Sequence, residues 1–463
     1  LDRAAHMDYQ TFLAKKSQAG IMAGFKPSWL PDFLFDFQRF LVDWNIRKGR
    51  SATLAKCGMG KGPMALVWAQ NVLRHTNRPV LIITTLGDSA QMVQEGVKFG
   101  VECKRSKDGA HGGGIVVTNY ESLHHFNESD FGGVVANEVS AIKAFDGKRR
   151  KQVTRFLSKI RYRHGCTATP APNDFVELGT ISEAIGELSQ SDMLGTFFKA
   201  SDNMRHSLFK EGDFWNRAKW FFRAHSEIPF WRWVCTWARA CQKPSDLGDF
   251  DDSRFVLPPL NISQHVVKSE FIPPGELFPR IAVTLKEQRI ERRRTMQERC
   301  EKVAELVDHD KPALVWCQYN QEGDVLEKMI PGSVQIAGCN TDDEREERLE
   351  AFISGQARVL VSKPKCIAFG LNLQHCGHHT FFPSHSWEQF HQGIGRSWRF
   401  GRIGAVNVDV VTTQGEEGVT ANLQKKQRKA VEMFGALVRH MHEGSNVKID
   451  DRHKTKMRIP QWL

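Results

Sequence analysis

The sequence predicts an α/β fold: two parallel-sheet domains with a helical, aromatic-rich insertion between them. Three observations predict it. Short apolar runs alternate with helix-length segments over residues 31–190, the same rhythm returns over 301–415, and between them, over 191–300, it stops and aromatic residues crowd together. Continuous β-branched runs separated by helices indicate parallel strands covered on both faces. With 463 residues the chain is long enough for two or three cores of ordinary size.

Residues 1–30 form an N-terminal extension, of which 1–7 (LDRAAHM) read as a tag remnant ahead of a start at Met7. The first domain then runs through SATLAK, the helix GPMALVWAQNVLRH, PVLIITT, a second helix, GIVVTNY, GGVVAN and RYRHGCTAT. In the insertion, Trp215, Trp220, Trp231 and Trp233 allow two readings: a stacking platform for bases, or the apolar face of a small helical unit. The second is favoured. A basic helix at 286–299 either meets phosphates or is a solvated connector. The second domain follows with PALVWC, SVQIAG, a charged helix at 342–354, RVLVS, HHTFF and VNVDVV. The segment 416–463 reads as a long helix carrying Lys425, Lys426, Arg428 and Lys429, expected to brace the second domain, with a tail whose final RIPQWL docks back.

The formal net charge of +11 suits a polyanionic partner, or equally a basic solvated surface. No run of about 18 apolar residues is present to span a membrane, and no secretory apolar region stands near the start. The 10 cysteines lack a CxxC pair, which fits reduced thiols in a cytoplasmic setting. HCGHH (His375, Cys376, His378, His379) has the composition of a zinc cluster but no second ligand pair at matching spacing, so a crowded strand and turn is favoured.

Four fragments carry chemistry. AKCGMGKG places Gly58, Gly60 and Lys61 between a strand and a helix, where backbone N–H groups and a lysine can wrap phosphates. Asn137–Glu138 ends an apolar strand, where a Mg²⁺-holding acid and a water-orienting Glu would stand. The threonine-rich turn GCTATPAPND is suited to linking one domain's site to the other. Finally, QGIGRSWRFGR sets Arg396 and Arg399 three apart, on one face if helical, as cations for a γ-phosphate.

Together these residues resemble superfamily 2 helicases and translocases, on the chromatin-remodeller-like branch and its compact phage and bacterial members. The resemblance extends from Gln38, in LFDFQRFLVDW, to the final IPQWL. It implies two RecA-like lobes with ATP and Mg²⁺ in the cleft, Gln38 on the adenine, and Gly58, Gly60, Lys61 and Gly62 on the phosphates. Glu138, Arg396 and Arg399 would then be catalytic. Thr85, Thr118, Asn119, Gln318, Ser362 and Lys363 fall in the motifs (Ia, Ib, IV and V) that meet nucleic acid. Duplex DNA is the expected partner, and a monomer the expected state.

The chain departs from that pattern where the metal is held. Gly62 replaces the Thr or Ser after the lysine, Asn137 replaces the Asp, and Lys56 stands where relatives carry an acid. Only Asn137 remains as a weak handle on Mg²⁺, through Mg-ATP. Loss of such preorganised contacts typically costs about 10²–10³ in turnover. The expectation is nucleotide binding with impaired hydrolysis, with Lys56 as a candidate compensating charge. Two alternatives remain open: an active DNA-stimulated translocase, and a protein-interaction scaffold without nucleic acid.

Overall fold

The computed structural model describes residues 22–144, 147–201, 219–268, 285–367, 372–384, 386–413 and 416–446. In the first lobe, α1 (Asp36–Lys48), β1 (Arg50–Ala55), α2 (Lys61–Thr76), β2 (Val80–Thr84) and α3 (Asp88–Phe99) follow in order. Then come β3 (Cys103–Arg105), β4 (Ile115–Asn119), β5 (Gly133–Asn137), α4 (Lys148–Ser158) and β6 (Tyr162–Thr167). Every residue of β2, β4, β5 and β6 is buried, as a parallel sheet covered on both faces requires.

The aromatic stretch adds α5 (Leu178–Ile185), α6 (Gln190–Phe197), the antiparallel pair β7 (Phe198–Ala200) and β8 (Trp220–Phe222), α7 (Glu227–Trp237) and β9 (Ala238–Cys241). β9 pairs in parallel with β1 and completes a seven-stranded sheet, ordered β3-β4-β2-β5-β6-β1-β9. Trp231 and Trp233 are 2% and 4% exposed and pack with Phe230 and Trp237 in the core of this lobe. They are core residues, not a stacking platform. Trp220 is half-buried against the same core, and Trp215 lies outside the described residues.

The second sheet is built from β10 (Leu260–Val267), β11 (Ala313–Trp316), β12 (Ser333–Ile336), β13 (Val359–Ser362), β14 (His378–Phe381) and β15 (Val406–Thr413). Its order is β10-β15-β14-β11-β13-β12, again parallel throughout. The connecting helices are α8 (Leu285–Arg294), α9 (Met296–Leu306), α10 (Asn320–Met329), α11 (Asp342–Ile353) and α12 (Trp387–Ile394). α11 starts from a reciprocal cap, in which Thr341 Oγ1 accepts from Glu344 N and the Glu344 carboxylate accepts from Thr341 N. The basic segment turns partly inward: Arg299 is 1% exposed and paired with the buried Glu322 at 2.9 Å, and Arg292 pairs with Glu416.

The last helix, α13 (Glu417–Asn446), follows β15, but its apolar stripe packs on the first lobe, with a lesser contact to Trp387–Ile394 of the second. Met433, Phe434, Leu437 and Met441 bury into the first lobe's core beside α7. Lys429 pairs with Asp174 at 3.0 Å, and Lys426 donates to Asn173 Oδ1 at 2.8 Å. An apolar stripe recurring every three or four residues needs an apolar partner, and α7 supplies it. Sequence periodicity shows that stripe but not which lobe receives it. RIPQWL lies outside the described residues.

Candidate nucleotide site and interlobe groove

The turn between β1 and α2 takes the shape that its glycines permit. Gly58 and Gly60 adopt φ of +87° and +77°, a region that side chains strongly disfavour, and Gly60 caps α2. The start of α2 borders a cavity lined by Gly58, Gly60, Lys61 and Gly62 from the first lobe and by Arg396 and Arg399 from the second. Glu138 and Asn137 form its floor. Lys61 Nζ donates to Ala55 O at 3.0 Å, within the same turn.

Gln38 stands behind this loop rather than in the cavity. It is 4% exposed, its Nε2 donates to Met59 O at 3.0 Å, and its Oε1 accepts from Phe35 N at 3.1 Å. A Cβ at position 60 would lie 2.2 Å from Gln38 Nε2, so a side chain there would displace the Gln38 amide from Met59 O.

Asn137 is fixed at both ends of its amide. Nδ2 donates to Thr84 Oγ1 at 2.9 Å, and Oδ1 accepts from the Cys166 thiol at 3.1 Å. Burial pushes that thiol up to about 12, so it stays protonated and donating. Glu138 adopts φ +53°, ψ +54°, a left-handed conformation costing a non-glycine residue about 1 kcal/mol, and is held there by Thr167 Oγ1 at 3.0 Å. The turn after β6 then reaches the other lobe. Thr169 Oγ1 donates to Glu388 Oε1 at 3.4 Å and accepts from Gln392 Nε2 at 3.5 Å, while Lys143 pairs with Glu388.

Arg396 and Arg399 do not share a helical face. α12 ends at Ile394, and both arginines follow it in turns. Gly395 packs so closely on the phosphate loop that a Cβ there would sit 3.0 Å from Cys57 Sγ. Both arginines nevertheless line the cavity. Desolvation, then the neighbouring Arg396, lowers Arg399 from its usual value.

Several features of the cavity were not anticipated from sequence. Lys56 is turned away from the phosphate loop, its Nζ 4.3 Å above the Trp398 ring, and burial lowers its pKa. It therefore offers no compensating charge there. Two carboxylates enter from α3 instead: Asp88 and Glu95. Desolvation raises Asp88 to about 6 against the opposing pull of Arg396. Burial raises the Cys57 thiol, but His391 and Lys61 outweigh that and bring it down to about 6.

The positions where the motif resemblance would put Mg²⁺ ligands do not fit a metal. Gly62 offers no side-chain oxygen, and the Asn137 amide is spent on Thr84 and Cys166. Among the described residues no group of three or more His, Cys, Asp or Glu is placed to hold an ion. The HCGHH segment is dispersed. Cys376 donates to Pro312 O at 3.3 Å, His378 bonds Asp409 at 2.7 Å, and His379 accepts from Trp316 Nε1 at 3.0 Å. Among the described residues the ten cysteines form no disulfide, and no helix is long and apolar enough to cross a membrane.

The residues assigned to nucleic acid divide into two groups. Thr118, Asn119 and Ser362 are 1–2% exposed. Asn119 Oδ1 caps Ser122 N at 2.8 Å, and Ser362 Oγ donates to Ile336 O at 2.7 Å. Burial leaves these three inside the strand ends. Thr85, Gln318 and Lys363 are half-buried. Thr85 Oγ1 donates to Asp88 Oδ2 at 2.9 Å, Gln318 Nε2 donates to Phe382 O at 3.0 Å, and Lys363 bonds Asn320. Gln318 also lines a groove between the lobes with Lys143, Lys365 and Lys426, none of which the sequence motifs single out.

Residues 298–401 match the helicase conserved C-terminal domain. The S. cerevisiae protein Dbp5, in a structure bound to RNA and ADP BeF3, aligns with a TM-score of 0.52 at 12% identity, over 84% of this chain and 89% of that one. That likeness shows the fold: tandem RecA-like lobes of the helicase type. None of the curated proteins matches the chain in sequence.

Proposed function

We propose that the chain is a helicase-like, nucleotide-gated DNA-binding protein that retains ATP in the interlobe cleft and hydrolyses it poorly. The observation that carries this reading is the cavity itself. The phosphate loop with Lys61, Glu138 at the end of β5, and Arg396 and Arg399 of the other lobe all line this one cavity. Such an arrangement neutralises a triphosphate from both sides and ties its presence to the spacing of the lobes. The Dbp5 structure, which holds ADP BeF3 and RNA in the same fold, supports the ligand class. Hydrolysis is weakened because neither Gly62 nor Asn137 offers Mg²⁺ its usual oxygen.

DNA would lie across the groove lined by Lys143, Lys365 and Lys426. The Lys143–Glu388 pair and the Thr169 bonds join that groove to the nucleotide cavity through α12. The first test is binding of a fluorescent ATP analogue and of duplex DNA to the full chain, beside Lys61→Ala. The expected result is nucleotide binding lost in the variant, and DNA binding that weakens steeply with salt. Salt-insensitive or absent DNA binding would leave only the scaffold reading.

A further inference from the structure

The resemblance puts Gln38 on the adenine, but in the folded chain both ends of its amide are engaged inside the protein. Nε2 donates to Met59 O and Oε1 accepts from Phe35 N. Met59 lies between Gly58 and Gly60, both of which have positive φ. Gln38 therefore braces the turn of the phosphate loop, and swinging it towards a base would release that turn.

The other side-chain amides at the cavity are engaged as well. Gln91 Nε2 donates to Glu95 Oε1 at 2.9 Å, and Asn137 spends its amide on Thr84 and Cys166. Amides matter here because they set a donor beside an acceptor, which is the pattern that matches an adenine edge. The cations that line the cavity, Lys61, Arg396 and Arg399, complement phosphate charge instead. Around Gln38 the neighbours are rings. Phe400 lies against the loop, its N 2.8 Å from where a Cβ on Gly58 would sit. Its ring stacks on Phe255 at 4.8 Å and meets Phe35 edge-on at 5.7 Å, while Arg254 covers the Phe35 ring at 5.0 Å. Rings tolerate any base, because every base has a face. A site built to hydrogen-bond a substrate group rejects analogues lacking that group by about 10⁴–10⁵, and the amides that could build one here are committed elsewhere.

We infer that the cleft holds nucleoside triphosphates by their phosphates and does not select adenine, so that ATP, GTP, CTP and UTP enter alike. This rests on the nucleotide reading above and widens its ligand from ATP to the whole class. Gln38 is then a positioning residue for the phosphate loop, and serves every base equally.

The experiment displaces a ribose-labelled fluorescent ATP analogue from the full chain at constant ionic strength. Competitors are ATP, GTP, CTP, UTP and inorganic tripolyphosphate, and the series is repeated with Gln38→Ala. The four nucleotides should displace the analogue with midpoints within about threefold of one another, and tripolyphosphate should displace it too. Gln38→Ala should weaken all four by the same factor. An ATP midpoint about tenfold or more below the other three overturns the inference and leaves the nucleotide reading standing. So does a loss in Gln38→Ala that is confined to ATP, or a failure of tripolyphosphate to compete. The wild-type ratios decide the question even where Gln38→Ala does not fold. If the wild type binds no analogue at all, the nucleotide reading falls and this one with it.

Discussion

The two lobes share an architecture but differ at the edges they turn to the cleft. Each is a parallel sheet with a buried histidine on an inner strand: His164 beside Ser51 in the first, His379 beside Trp316 in the second. At the cleft, the second lobe presents Arg396 and Arg399, with Gln392 hydrogen-bonded to Thr169 of the first. The first presents Gly62, Asn137 and a Lys56 turned onto Trp398. On the function proposed above, the departures fall in the half expected to organise a metal and spare the half expected to deliver cations, so binding would draw on both halves and bond cleavage on the altered one.

The strongest way to break this comparison is to rebuild the first lobe's edge. Gly62→Thr, Asn137→Asp and Glu95→Ala together should raise DNA-stimulated ATP hydrolysis by about 10²–10³, measured as phosphate release. If Arg396→Ala in the unaltered chain removes nucleotide binding as completely as Lys61→Ala does, the division of labour between the lobes is wrong. We expect Lys61→Ala to weaken binding at least tenfold and Arg396→Ala only a few-fold.

A smaller effect concerns the shared interiors. Desolvation depresses both His164 and His379 to about 3, so each folded lobe excludes a proton that the unfolded chain takes up near 6.5. That stability is complete above pH 6.5 and is lost as the pH falls towards 3. Urea midpoints should drop over that interval, and His164→Gln should flatten the fall. An unchanged midpoint from pH 7 to 4 would contradict the burial argument.

Smaller still are two local readouts. Iodoacetamide should label Cys57 with a rate that rises through about pH 6, and the nucleotide should protect it. Lys365→Ala should weaken DNA binding uniformly and reduce the slope of log affinity against log salt by about 1, since the exposed Lys365 faces the groove.

How much of this was legible in the sequence follows from how local each feature is. Strands such as Val80–Thr84 and the glycine turn before α2 are written in adjacent residues, and both are found in place. The span 191–300 read as insertion and linker, yet β9 and β10 within it join the two sheets. Their partners lie far away in sequence, so no local pattern announces them. The same holds for Glu95. Its approach to Gly62 depends on two helices packing together. Thr118, Asn119 and Ser362, which motif position assigns to nucleic acid, are buried in the folded chain, a fact that no local pattern announces. Lys143, Lys365 and Lys426 come from three separate elements and meet only in the folded chain.

Steady-state and single-turnover ATP hydrolysis by the full chain, with Mg²⁺ and long duplex DNA, bears most directly on the reading of the altered edge, with Lys61→Ala as the control. Bound nucleotide that the control loses, with turnover that stays at background whether DNA is present or absent, is the predicted result. Turnover that rises with DNA and vanishes in Lys61→Ala would contradict it, and would make the chain a working translocase.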